Sequence, residues 1–218
     1  VTLQIRSRGT AAQQARYRQE IERVLLRVRP TRTGTILLGH IERSPHRVTI
    51  VPYTDGDINA EAVPGSWRAS GTVGRGRSAA GTGSRVRYSV RMSTMPPNWP
   101  QGNPGEVLVH ELAHALRQIT GTERYRARGS QDLLPMASFE NVEEFFAAMV
   151  ASVYSSELRL PPLGNHGQWV LRDPDVLNHP PFSTRIRDFR VRMRAFCTEM
   201  AGIPPAVATF NPFRDVPP

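Results

Sequence analysis

Residues Val107 to Gln118 read VLVHELAHALRQ, and this run constrains the fold more than any other stretch of the chain. It sets His110, Glu111 and His114 inside an otherwise apolar segment. On a helix, residues four apart share a face, so the two imidazoles project side by side while Glu111 is turned about 100° away. Burying three such groups without partners costs roughly 1 to 3 kcal/mol each. The chain must therefore either bring compensating groups to this helix or let an ion do so. The plainer alternative is a core helix that happens to carry two histidines.

The helix has its own boundary signals. Asn103 suits the N-cap, Pro104 the first helical position, Glu106 a capping interaction, and Gly121 a left-handed stop, which bounds the helix near 104 to 120. Zinc takes neutral imidazoles at about 2.0 to 2.1 Å and leaves room for a water, whose proton an adjacent carboxylate can accept. This assigns His110 and His114 as metal ligands and Glu111 as the catalytic base. The long zincin signature would continue with Gly at position 117 and His at 120, but Arg117 and Thr120 stand there, which excludes the metzincin pattern.

A Glu from a second helix is the usual alternative ligand. Candidates lie in SFENVEEFFAAMVASVY, residues 138 to 154. Val142, Phe145, Phe146, Met149, Val150, Val153 and Tyr154 form an apolar stripe, and the opposite face carries Glu144, Ala148 and Ala151. Alanines there, with Ala113 and Ala115 on the motif helix, allow a close approach of the two helices. Glu144 is thus the preferred third ligand, Glu143 the second choice, and Glu140 a candidate outer acceptor for a histidine N–H. Against this, Asn141 and Glu144 could simply form a capping box at a solvated helix start.

Elsewhere, apolar spacing predicts a helix over Thr10 to Val28, stopped by Pro30, and a shorter one over Thr35 to Glu42. Val48 to Tyr53 reads as a strand, and Arg85 to Ser93 as an amphipathic strand with a wet, basic side whose edge could receive an extended substrate. Between them, Pro64 to Ser84 reads as a long loop or irregular hairpin. Gly74 to Ala79 there formally matches a dinucleotide fingerprint. We reject that reading because no buried strand precedes it and Gly81 and Gly83 break any helix after it. A Pro-rich connection (Pro96, Pro97, Pro100) precedes the motif helix. The last helix is predicted over Ser183 to Met200, with a Pro-rich tail draped over the body. These elements predict an α+β domain, mostly helical with a small β-sheet, over 1–218 as a single unit.

The 218 residues carry a formal net charge of +9, all of the basic side chains being Arg. Such a balance raises an anion-binding module as a rival function, but no nucleic-acid motif or interleaved surface aromatics accompany it. Absence of Lys fits a GC-rich genome; a surface without an ε-amine for ubiquitin conjugation is a side hypothesis. No apolar run is long enough for a membrane span. A lone Cys197 makes no internal disulfide and reads as a buried thiol. The start at Val1 without a signal segment is expected of an excised piece.

At HELAHALR followed by ENVEEFFAAM the sequence resembles gluzincin peptidases, and the EFFA segment looks like that of anthrax lethal factor, in which the Glu beginning EFFA binds zinc. Carried over, that residue is Glu144. A wider likeness, from TGTILLGHI through VTIVPY to FNPFRD, is to metallopeptidase toxin domains at the C-termini of bacterial type VI secretion spike (VgrG) and Rhs-type proteins. The resemblance implies a zincin-like fold and Zn2+ as cofactor. It also implies a secreted effector hydrolysing a protein or peptide substrate, delivered to periplasm or host cytosol as part of a larger protein. An immunity protein and a delivery-apparatus parent chain are the implied partners, with no specific nucleic acid. A zinc amidase acting on cell-wall peptide would use the same ligands. Tyr154, Tyr125 and His179 are candidate oxyanion donors, none assigned; His166 and His179 sit in Gly/Pro-rich loops where solvated histidines are common.

Overall fold

The computed structural model describes residues 2–55, 59–73, 76–91, 103–126, 133–136, 139–160 and 180–217. Its centre is the helix α4 (Pro104–Ile119), which the other elements surround. On one side lies a four-stranded sheet of β1 (Leu3–Ile5), β2 (Val48–Pro52), β3 (Ala60–Pro64) and β5 (Ser84–Tyr88). The strand order is β1-β2-β5-β3, parallel except for β3, which runs antiparallel to β5. β1 reaches β2 through α1 (Ala11–Val28) and α2 (Arg32–Arg43), the long crossover that parallel pairing requires. On the other side, α5 (Val142–Glu157) packs against α4 more extensively than any other pair of elements.

Alternation in the strands explains which face is covered. Val48, Ile50, Val86 and Tyr88 are fully buried towards the helices, while Thr49, Val51, Arg85 and Arg87 face away. The amphipathic strand is thus real with its basic side outward, but β5 ends at Tyr88 and is flanked by β2 and β3. An interior strand has no free edge, so β5 cannot receive a substrate by strand addition; among the described residues the sheet's edges are β1 and β3.

α1 takes its capping box from Thr10 and Gln13 and buries the expected Tyr17, Ile21, Val24, Leu25 and Val28. α2 begins three residues before its expected start. Thr31 caps it, and the Glu157 carboxylate accepts the N–H groups of Arg32 and Thr33, both at 2.7 Å. The segment read as loop over Pro64 to Ser84 contains a helical turn, α3 (Trp67–Ser70), and a strand, β4 (Gly71–Val73), which pairs in parallel with β6 (Glu123–Tyr125). A strand therefore does precede Gly74, but the described chain beyond it, from Gly76 to Gly83, is not helical, so the nucleotide reading stays rejected.

The final helix is broken in two, α6 (Pro180–Arg192) and α7 (Arg194–Ala201), because Met193 leaves helical geometry at φ −122° and ψ 45°. Its core stripe of Ile186, Phe189, Met193, Phe196, Cys197 and Met200 is buried as the spacing implied. The tail adds α8 (Pro212–Asp215) and seats Phe213 against Phe146 and Phe196, with ring centroids 6.1 and 6.0 Å away. The α+β expectation, mostly helical with a small sheet, holds. No described helix is long and apolar enough to cross a membrane. Met92, Ser93, Pro96, Pro97, Pro100, Ser138, His166 and His179 lie outside the described residues.

Candidate metal centre

α4 starts where its sequence says it should. Asn103 accepts the N–H of Gly105, Pro104 occupies the first turn, and Glu106 complements the positive end of the helix dipole. Gly105 is required by packing: a Cβ there would stand 2.3 Å from the Tyr154 Oη of α5. The helix ends at Ile119, and Gly121, two residues on, turns the chain away with a φ of +67° that suits glycine. Between these limits nearly every α4 residue is buried, and His110, Glu111 and His114 keep only slight exposure.

α5 meets this face with its first turn. The Asn141 side chain accepts the N–H groups of both Glu143 and Glu144, each at 2.9 Å. The cap foreseen at Asn141 is therefore present, but the Glu144 carboxylate does not turn back to close a box. It lies against the two histidines, Oε2 at 3.1 Å from His110 Nε2 and Oε1 at 3.3 Å from His114 Nε2. The two Nε2 atoms are themselves 3.1 Å apart. One ligand atom from each of the three residues falls within 4.8 Å of the others.

That triangle can be tested against an ion. Ligands at about 2.0 to 2.1 Å in tetrahedral array stand about 3.3 to 3.4 Å from one another. The Nε2–Nε2 separation of 3.1 Å is close to that, and the carboxylate reaches the pair with a different oxygen on each side, Oε2 at 3.1 Å and Oε1 at 3.3 Å, so a single oxygen would need only a small side-chain turn to close the set. Its electrostatics point the same way, since two imidazole nitrogens facing each other beside a carboxylate attract positive charge. Burial disfavours a charged His114, yet the Glu144 carboxylate more than offsets it and lifts the ring's pKa to about 9. For Glu144, burial is likewise outweighed by the histidines, and its carboxyl is held far below the usual range. The donor set of two nitrogens and one carboxylate oxygen suits zinc. Glu111, 7% exposed, stands beside the triangle, close enough for its charge to be felt at His114 and at the Tyr88 hydroxyl.

Glu143 lies elsewhere. Its carboxylate forms a two-point pair with Arg117 of α4, Nε to Oε2 at 2.6 Å and Nη2 to Oε1 at 2.8 Å, with both side chains fully buried. The backbone N–H of Arg124 adds a third bond at 3.0 Å. The Arg117 guanidinium also lies over the rings of Phe146 and Phe189, at 5.1 and 5.0 Å. Reading the sequence for ligands missed this pair, although Arg117 stands three residues after His114 and thus on the ligand face. Glu140 is exposed.

The oxyanion candidates fare differently. Tyr154 is buried with its hydroxyl against Gly105, near the start of α4. Tyr125 belongs to a buried network with Glu123 and Ser70, its hydroxyl 2.6 Å from Glu123 Oε2 and 2.7 Å from Ser70 Oγ. Gln118 joins that network by donating to Glu123 and to the Ala62 carbonyl.

Residues 5–148, about two thirds of the chain, match the model of a family described as Peptidase_M91, effector protein. The match contains α4 and the first turn of α5, and so all of His110, Glu111, His114 and Glu144. No curated protein matches the chain.

Proposed function

The chain belongs to the Peptidase_M91 effector protein family, and on that premise we propose that it is a zinc-dependent endopeptidase of the gluzincin type. The observation that carries this reading is the convergence of His110 Nε2, His114 Nε2 and a Glu144 oxygen from two helices. These three residues would hold the ion. Bound there, zinc would polarise the scissile carbonyl and make a water acidic enough to attack at neutral pH. The protein's own part is proton traffic and order. Glu111 accepts a proton from the attacking water on its carboxylate and returns it to the departing amine nitrogen. The α4–α5 packing holds Glu111 and Glu144 in fixed relation.

An effector peptidase acts on a protein substrate and is delivered into target cells. We take residues 1–218 as one domain at the C-terminus of a larger delivered protein of the type VI spike or Rhs kind, a placing that rests on the sequence resemblance. Elemental analysis of protein purified without added chelator tests the metal, with about one zinc per chain expected. Incubation with a proteome-derived peptide library, read by mass spectrometry of new N-termini, tests the chemistry. Glu111→Gln should keep zinc and lose cleavage by about 10²- to 10⁴-fold. Undiminished cleavage by that variant overturns the assigned base, and a zinc-free, active wild type overturns the mechanism.

A further inference from the structure

The outward face of the four-stranded sheet is not flat. It forms an open groove of about 1110 Å³ lined by Arg6, Arg8, Arg47, Arg85 and Arg87, among small and β-branched residues. None of the metal-cluster residues lines it. At that size and open to solvent, the groove has room for a polymer segment and does not enclose a small molecule. The Arg87 guanidinium already binds carboxylates of this chain, Asp55 Oδ2 at 2.6 Å and Glu61 Oε1. Arg6, Arg8, Arg47 and Arg85 are exposed and form no ion pair among the described residues.

We propose that this groove is a docking site for an extended acidic segment of the polypeptide the enzyme cleaves. Arg85 stands opposite Thr49 in the β2–β5 ladder and Arg47 immediately precedes β2, so two guanidinium groups without ion pairs among the described residues border the groove from neighbouring strands, while Arg87 beside them is held by Asp55 and Glu61. Guanidinium forks pair carboxylates two-pronged, as Arg117 does with Glu143 inside the same molecule. Single-stranded nucleic acid held by base stacking is disfavoured, because stacking needs open aromatic faces and none lines the groove; the nearby Tyr53 ring is covered by Arg87 at 4.6 Å. A bilayer is disfavoured because the arginines line a concavity. The substrate assignment rests on the peptidase reading, whereas the binding itself does not.

The test uses the intact chain and a fluorescein-labelled peptide alternating glutamate with serine, titrated by anisotropy at low ionic strength, where exposed charges are least screened. The double variant Arg47→Glu/Arg85→Glu should weaken binding by roughly tenfold or more. Arg16→Glu/Arg18→Glu, the same charge change on the exposed side of α1, should leave it within about twofold. Equal weakening by both variants reduces the effect to net charge and overturns the proposal. So does tighter binding of a single-stranded oligonucleotide or of anionic vesicles that is lost in the groove variant. For the substrate assignment, the groove variant should raise KM for an acidic-tailed peptide and leave cleavage of the untailed peptide unchanged. A wrong peptidase reading would remove both cleavages and spare the anisotropy.

Discussion

Two ionic clusters bridge α4 and α5 side by side, and they are built on opposite terms. Arg117 and Glu143 neutralise each other, and each is fully buried. Desolvation penalises the guanidinium, yet Glu143 more than compensates, so its pKa lies above the usual range. Nothing in that pair calls for another ligand. One residue further along α5, Glu144 faces two imidazoles at 22% side-chain exposure, with donors converging and positive charge favoured. The contrast teaches that burial of charge alone does not mark a site. A site is where the compensation is left incomplete and a path to solvent remains.

Exchanging the fates of adjacent glutamates is the strongest way to break this comparison. Glu144→Ala should weaken zinc binding by more than the roughly 10- to 100-fold typical of losing an outer hydrogen-bond partner, and should lower the stability of the metal-free protein by less than Glu143→Ala does, since His114 can give up its proton once that carboxylate is gone. Glu143→Ala should do the reverse. It strands a buried guanidinium, at a cost of about 3 to 5 kcal/mol in denaturant unfolding. Zinc content normal in Glu144→Ala but lost in folded Glu143→Ala would reverse the roles given to the two residues.

A sharper question is whether the Arg117–Glu143 pair only stabilises or also orients Glu144. Arg117→Met/Glu143→Met replaces the pair by apolar side chains, which in buried settings is often close to neutral, and should recover most of the stability lost in Glu143→Ala, by about 2 kcal/mol or more. The Arg124 N–H loses its acceptor in this variant, so recovery will be incomplete. Zinc affinity is the discriminating readout. If the pair fixes the rotation of α5, affinity should fall about tenfold despite the regained stability; unchanged affinity restricts the pair to a structural role.

How legible these two clusters were follows from the range of their signals. His110, Glu111 and His114 announce themselves by spacing within one helix, and Glu144 by lying opposite an apolar stripe. Arg117 and Glu143 meet across separate helices, and an Arg at a helix end ordinarily reads as solvated surface. The long helices α1, α4 and α5 were readable because apolar periodicity repeats over several turns. β1, β4 and β6 have three residues each, too few to show a period, and the pairing of β4 with β6 joins distant segments. α2 started earlier than its apolar spacing implies because its first turn is set by the Thr31 cap and by Glu157, 125 positions from Arg32. The break at Met193 left no local mark in the sequence, the stripe running unbroken through it.

A third buried polar group on the same interface gives the smallest effect and the cleanest control. The Tyr154 hydroxyl has no hydrogen-bond partner among the described residues, lies hard against Gly105, and has its pKa pushed up to about 12, chiefly by burial. It is neither compensated like Glu143 nor poised for a ligand like Glu144. Tyr154→Phe removes an unsatisfied oxygen and keeps the ring, so stability should hold within about 1 kcal/mol or rise slightly. It should also ease Gly105→Ala, which alone forces a Cβ against the hydroxyl and should cost about 1 to 3 kcal/mol. A double-mutant cycle read by denaturant unfolding would then give a coupling of more than about 0.5 kcal/mol. Because the hydroxyl sits at the start of α4, peptide cleavage should proceed at wild-type rate in Tyr154→Phe. A large fall in kcat with the fold intact would return Tyr154 to the oxyanion candidates and show that this end of the interface moves during turnover.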